Sequence, residues 1–251
     1  MMFGIIKERF HQKYRTLDFP AKEPFLPGRF KGRPEIKAIN CANCHICQDL
    51  CPTEAIQHID GHPAIDLGRC TFCGACAQCC PQKAIAFGRN YHVASADRKA
   101  LLVKAGDSAA FPTPQALTKP LFRRSLKLRQ VSCGGCAACE ADTNVLGTLL
   151  YDLGRFGIDF VASPRHADGI LVTGPVTKNM APALFDTYRA VPDPRIVIAV
   201  GTCAISGGLF ATSSQCLGGI PEEIPVDLFV PGCPPNPWSI LAGLLELQKN
   251  R

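Results

Sequence analysis

From residue 125 onward, short apolar runs alternate with longer segments of mixed polarity. The runs at 126–131, 160–162, 170–173, 196–200 and 226–230 are continuous and rich in Leu, Ile and Val. Such runs read as strands buried on both faces. The segments 144–155, 181–190 and 237–249 between and after them predict helices. Strands alternating with helices imply a parallel sheet covered on both sides, an α/β fold. The amino-terminal part lacks this rhythm. Its first forty residues mix charge with Pro20, Pro24, Pro27 and Pro34, which predicts an extended arm after a short helical start. Phe3, Ile6 and Phe10 would share one face of that helix, a stripe suited to packing against a neighbour. A basic, Pro-containing stretch around 94–124 reads as a linker. The expected division is an arm at 1–40, a compact unit at 41–92, a linker at 93–124 and the α/β domain at 125–251.

The compact unit is an internal repeat with an offset of 29 residues. Cys41, Cys44, Cys47, Cys51 and Pro52 recur as Cys70, Cys73, Cys76, Cys80 and Pro81, and Ala55-Ile56 recurs as Ala84-Ile85. The whole chain holds 15 cysteines. An odd count, with a charged start in place of a secretory signal, argues against a disulfide framework and for metal binding in a reducing compartment. No run approaches the ~20 apolar residues needed to cross a bilayer.

Each half of the repeat reads C-x-x-C-x-x-C-x-x-x-C-P, three closely spaced thiolates and a fourth held apart. Eight thiolates in two matching runs suit iron-sulfur cubanes better than zinc. The unit resembles bacterial-type two-cluster ferredoxins. With the preceding Phe30-Lys31-Gly32-Arg33-Pro34-Glu35 it is similar to the ferredoxin-type subunit of formate hydrogenlyase and respiratory complex I. In two-cluster ferredoxins the fourth cysteine ligates the other cluster. The resemblance therefore implies one 4Fe-4S cluster on Cys41, Cys44, Cys47 and Cys80, and a second on Cys70, Cys73, Cys76 and Cys51, in an α+β ferredoxin fold.

In the α/β domain, Cys133-Gly134-Gly135-Cys136-Ala137-Ala138-Cys139-Glu140 follows the first predicted strand. Gly201-Thr202-Cys203 follows the fourth, and Pro231-Gly232-Cys233-Pro234-Pro235 the fifth. All three groups fall at carboxyl ends of strands, where loops of open α/β sheets converge on one crevice. Four thiolates from three loops make a closed site, and the glycines let backbone amides approach the sulfurs. Together with the segments at 163–168 and 180–184, these residues resemble the small subunit of membrane-bound nickel-iron hydrogenases of the formate hydrogenlyase type. The same domain bears the terminal cluster of complex I. The resemblance implies a flavodoxin-like sheet and a third 4Fe-4S cluster on Cys136, Cys139, Cys203 and Cys233. Cys133 competes with Cys136 for that role, and the resemblance favours Cys136. Cys79 and Cys216 read as small, half-buried thiols. Glu140 and Asp142 serve either proton movement or helix capping. Arg165 and His166 belong beside the cluster, at a partner interface, or, for His166, in a structural hydrogen bond.

Net charge is +6, distributed as +5 over 1–40, −1 over 41–91, +6 over 92–130 and −4 over 131–251. Three cluster cores at about −2 each would bring the loaded protein near neutrality. Nucleic acid is not an expected partner; the basic arm and linker are solvated surface or face an acidic partner or membrane.

The resemblance implies an electron relay of three clusters without an active site of its own. Only three thiols are spare, and no nucleotide fingerprint of the Gly-x-Gly-x-x-Gly kind occurs. Expected partners are a hydrogenase-type large subunit, membrane subunits, and an electron donor such as ferredoxin or a formate dehydrogenase. The expected location is cytoplasmic, on the inner face of the cell membrane. Two other readings are a complex I-like module passing electrons to quinone, and a stand-alone carrier or redox sensor. The pair Cys136 and Cys139, separated by two residues, favours the hydrogenase type, because the complex I relatives place two cysteines side by side.

Overall fold

The computed structural model describes residues 2–13, 15–37, 41, 44–107 and 125–248. The side chain of Phe3, most of the stretch expected as linker (108–124) and the end of the last expected helix lie outside the described residues.

Helix α1 (Met2–Gln12) opens the chain, and the arm after it is extended as the prolines require. Ile6 and Phe10 are exposed on α1. The arm is held against the body at its middle. The Phe19 ring sits 5.2 Å from Trp238 and 6.3 Å from Tyr91, and Arg155 donates to the Phe19 carbonyl at 2.9 Å.

The ferredoxin half comprises β1 (Pro34–Ile36), α2 (Ile46–Asp49), β2 (Ile56–Ile59), β3 (His62–Asp66), α3 (Ala75–Cys79) and β4 (Ile85–Phe87). Strands β1 and β4 pair antiparallel. Strands β2 and β3 form a hairpin whose turn, Asp60-Gly61, takes φ of 51° and 78°, the two left-handed positions a two-residue hairpin demands. The third strand of this sheet, β5 (Leu102–Val103), comes from the stretch that follows the repeat. Val93, Leu101 and Val103 from that stretch are buried in the ferredoxin core.

The second half comprises β6 (Leu126–Ser132), α4 (Ala138–Asn144), β7 (Ile158–Phe160), β8 (Gly169–Thr173), α5 (Ala181–Ala190), β9 (Ile196–Val200), α6 (Thr202–Ser206), β10 (Leu228–Val230) and α7 (Pro237–Gln248). The five strands are parallel in the order β10-β9-β8-β6-β7. This is the flavodoxin-like order, with its switch point between β6 and β8. Side chains alternate between the two covered faces. Ile196, Ile198 and Val200 join the core beneath α7, whereas Val197 joins the core beneath α5. The helix expected at 144–155 is displaced. The chain is helical at α4, immediately after the cysteine run, and then breaks into 3-10 turns at Val145–Gly147 and Leu153–Phe156. Left-handed residues Asp152 and Gly157 (φ 49° and 73°) interrupt any longer helix there.

The two halves meet along a hydrogen-bonded seam. Ser95 and Phe229 exchange backbone bonds at 3.0 and 2.8 Å. Thr202 Oγ1 donates to the Cys70 carbonyl at 2.8 Å, and Ser206 Oγ to that of Gly68 at 2.9 Å.

Candidate metal centres

Three of the cysteine runs share one local device. The residue after the second cysteine of each run is left-handed: His45 (φ 61°), Gly74 (φ 80°) and Ala137 (φ 66°). A short helix starts directly after it, so Cys47, Cys76 and Cys139 each fall at the second helical position. The left-handed step costs a non-glycine residue roughly 1–2 kcal/mol. His45 and Ala137 take it nonetheless, which marks the turn as imposed by what the thiols must reach. Cys203 also occupies the second position of a helix, α6, after Gly201 at φ 92°.

In the ferredoxin half, Cys41, Cys44, Cys47 and Cys80 line one cavity of about 70 Å³. The second set gathers Cys51, Cys70, Cys73 and Cys76. Burial, followed by the neighbouring thiols, pushes Cys70 and Cys76 up to about 12. Backbone amides turn toward sulfur at matching places in the repeat: Ala55 N–H to Cys51 Sγ at 3.3 Å and Ala84 N–H to Cys80 Sγ at 3.2 Å. Phe72 N–H adds a bond to Cys70 at 3.3 Å. Thiols held so high stay protonated unless a cation draws off the proton. An all-sulfur donor set with amide support is therefore suited to a soft, multi-iron guest.

The sheet half brings Cys136, Cys139, Cys203 and Cys233 together at the carboxyl edge. Burial and then Cys203, Glu140, Cys233 and Cys136 push Cys139 up to about 12; burial and then Cys233 and Cys136 push Cys203 to about 11. Gly201 is required here twice over. Its φ is left-handed, and a Cβ on it would lie 2.5 Å from Cys139 Sγ. Cys133, by contrast, is fully buried in the α5-side core, its Sγ 3.9 Å from the Val131 carbonyl, and Glu140 is the neighbour that adds to its burial-raised pKa. Of the other two thiols, Cys79 donates to the Cys76 carbonyl at 3.4 Å and lies near Cys47, and Cys216 lies near Cys203.

Glu140 is an anchor across the switch point. Its Oε1 accepts from Ser132 Oγ at the end of β6 (2.5 Å) and from Thr173 Oγ1 at the end of β8 (2.7 Å). Burial works to raise its pKa, but these two bonds and its own backbone N–H together outweigh it and hold the carboxyl below the usual value. Asp142, two residues on, is raised by burial. It lines a cleft of about 300 Å³ at the seam, together with Arg29, Lys31, Thr71, Cys233 and Asn236. Arg165 and His166 stand between β7 and β8. They lie on the 3-10 turn Pro164–His166, neither of them buried. The next residues lead into the amino end of β8, where Asp168 bonds the Lys127 backbone. Thr202 and Ser206, to which the cysteine spacing assigns no role, tie the third cysteine group to the ferredoxin loop through their hydroxyls. Their signal was two hydroxyl residues flanking Cys203 on one short helix.

Among the described residues, no helix is long and apolar enough to cross a membrane. Residues 136–247 match the family described as NADH ubiquinone oxidoreductase, 20 Kd subunit, and residues 40–85 match the 4Fe-4S dicluster domain. A subunit of the NADH-quinone oxidoreductase of Citrifermentans bemidjiense is 49% identical over 114 residues, 45% of this chain. The chain spans 66% of that relative's length. An uncharacterized protein of Methanocaldococcus jannaschii is 42% identical over 132 residues, 52% of this chain and 88% of the relative. A chain from the membrane-bound sulfane sulfur reductase, an archaeal respiratory membrane complex, aligns with a TM-score of 0.46 at 34% identity, over 53% of this chain and 75% of that one. With both families matched on one polypeptide, the chain belongs to the NADH ubiquinone oxidoreductase 20 kDa subunit family, carrying a 4Fe-4S dicluster ferredoxin domain on its amino-terminal side.

Proposed function

We propose that this chain is the iron-sulfur electron-transfer subunit of a complex I-like or nickel-iron hydrogenase-type oxidoreductase. It would hold three 4Fe-4S clusters on Cys41, Cys44, Cys47 and Cys80, on Cys51, Cys70, Cys73 and Cys76, and on Cys136, Cys139, Cys203 and Cys233. The clusters would supply one-electron carriers. The protein's own part is to fix their positions, dry their surroundings and join them. The single observation that carries this reading is the seam bond from Thr202 to the Cys70 carbonyl. It couples the residue preceding Cys203 directly to the backbone of Cys70, one short protein link between the second and third thiol groups. Cys51, which stands in the first run yet would serve the second group, would tie the first group to the second in turn.

The chain would need a catalytic partner. Its spare thiols are dispersed, Cys133 within the core and Cys79 and Cys216 near different groups. Leu209, Phe210 and Leu217 are exposed around the loop that follows α6, close to Cys203 in sequence. A large subunit seated there would cover them, with membrane subunits and a donor such as ferredoxin or a formate dehydrogenase completing the complex at the inner face of the cell membrane.

Two partner types fit. The names of the curated relatives favour a complex I-like module delivering electrons to quinone. The separation of Cys136 from Cys139, with Cys133 buried in the core, favours a hydrogenase-type large subunit. Native anaerobic purification with metal analysis separates them. Stoichiometric nickel and a partner bearing two C-x-x-C pairs supports the hydrogenase type. A partner without nickel that reduces quinone supports the other, and a lone monomer contradicts both.

A further inference from the structure

The 29-residue repeat makes each half of the ferredoxin domain a control for the other. Strands β2 and β4 are counterparts, so His58 occupies in one half the position that Phe87 occupies in the other. Gln48 likewise answers to Ala77, and His45 to Gly74. The surroundings that result are chemically opposite. His58 lines the cavity shared by Cys41, Cys44, Cys47 and Cys80. Its ring stands 4.0 Å from His45, edge-on at 82°, and its Nδ1 lies 3.2 Å from the Gln48 side-chain amide. In the other half Phe87 packs 6.2 Å from Phe72, tilted at 59°, and neither ring offers a donor.

The atom that decides the matter is His58 Nε2, which is buried and has no hydrogen-bond partner among the described residues. Leaving such a polar atom unpaired costs about 1–3 kcal/mol. His62 Nδ1 is also buried without a partner among them, but His62 does not line the cavity. Burial and His45, against the pull of Asp49, and with His62, hold His58 below the usual histidine pKa. A neutral ring carries one N–H, and a protonated ring carries both. The two ends of an amide are interchangeable by rotation, so Gln48 can present its NH₂ to Nδ1 and leave the proton on Nε2. Thiolate and sulfide sulfurs are acceptors only, and they are what the cavity would contain.

We propose that His58 is a potential-tuning residue, donating its Nε2–H to a sulfur of a 4Fe-4S cluster held by Cys41, Cys44, Cys47 and Cys80. A donor to sulfur stabilises the more negative, reduced state, so His58 raises this cluster's reduction potential above the value it would have with phenylalanine, the repeat counterpart, in that place. One electron enters the cluster on reduction and no proton moves. The inference rests on the three-cluster assignment proposed above.

The test uses the full chain, reconstituted anaerobically and followed by electron paramagnetic resonance during redox titration. Cys41→Ser identifies the signal of the first cluster. His58→Phe should move that signal alone to a more negative potential, and His58→Gln, which restores a donor, should recover most of the shift. Unchanged potentials in His58→Phe at full iron content overturn the inference and leave the cluster assignment standing. An equal shift of all signals overturns it as well. If Cys41→Ser removes no signal, the assignment and the inference fall together.

Discussion

In the ferredoxin half, three thiols of each group arrive within a single run of seven residues, whereas in the sheet half only Cys136 and Cys139 are local, and Cys203 and Cys233 are delivered by separate strands. Both halves use the same left-handed turn into a short helix. They differ in what holds the turn in place. The ferredoxin loops carry local amide bonds at matching places, from Ala55 to Cys51 and from Ala84 to Cys80, and Lys31 donates to the Cys73 carbonyl beside the second turn. The sheet loops depend on the register of five parallel strands and on Glu140, which ties the ends of β6 and β8. A site assembled from sequence-distant loops should be more easily lost, and lost alone.

The largest expected effect follows from that difference. Cys233→Ser should remove about four of about twelve irons while the ferredoxin signals persist, measured by iron and sulfide analysis with spectroscopy. Equal loss from every group would erase the distinction between the halves. Gly201→Ala comes next. A Cβ there meets Cys139 Sγ at 2.5 Å on a backbone of φ 92°. The expected result is loss of the same four irons without removal of any ligand, and destabilisation of roughly 1–3 kcal/mol in denaturant melts. Retention of full iron would show that the close approach of Gly201 to the sulfur is dispensable.

Thr202→Val probes the link between the halves. It leaves the buried Cys70 carbonyl without its donor, at a cost of about 1–2 kcal/mol. Iron content should be unchanged, while flash-reduction kinetics should show slower transfer between the ferredoxin signals and the third. Unaltered kinetics would remove the seam bond from the electron path.

The smallest effects concern two carboxylates on one helix with opposite signs. Glu140 is held below the usual carboxylate value, so its contribution to stability is present above its unfolded pKa and lost as pH falls through the folded one. Asp142 is raised by burial, so it favours the fold at low pH and that contribution is lost as pH rises through its folded pKa. At pH 7, Glu140→Gln should therefore lower the melting midpoint slightly, by an equivalent of about 1 kcal/mol or less, and Asp142→Asn should raise it. Melts at pH 7 and pH 4 check both, and shifts of the same sign would contradict the contrast.

Much of this was legible in the sequence because the relevant interactions are local or periodic. The runs of Ile, Leu and Val at 170–173 and 196–200 are β8 and β9 almost to the residue. The repeat offset identified counterparts that the fold realises as β2 and β4. The strand expected at 160–162 lies two residues earlier, at Ile158–Phe160, because pairing with β6 fixes its register and the apolar run alone does not. The helix expected at 144–155 was displaced to α4 for a related reason. The cysteine pair needs its second thiol in a first helical turn, a demand made by the site and invisible to periodicity. The anchoring of Phe19 on Trp238, the Glu140 clasp and the Thr202 bond join residues far apart in sequence, and no spacing rule encodes them.

The measurement that tests the central claim most directly is the iron and acid-labile sulfide content of the full chain, reconstituted anaerobically and freed of unbound metal. Three occupied groups of four thiols predict about twelve irons and about twelve sulfides per chain. About eight, with the signals of only the ferredoxin half, would contradict the third centre and with it the electron path across the seam.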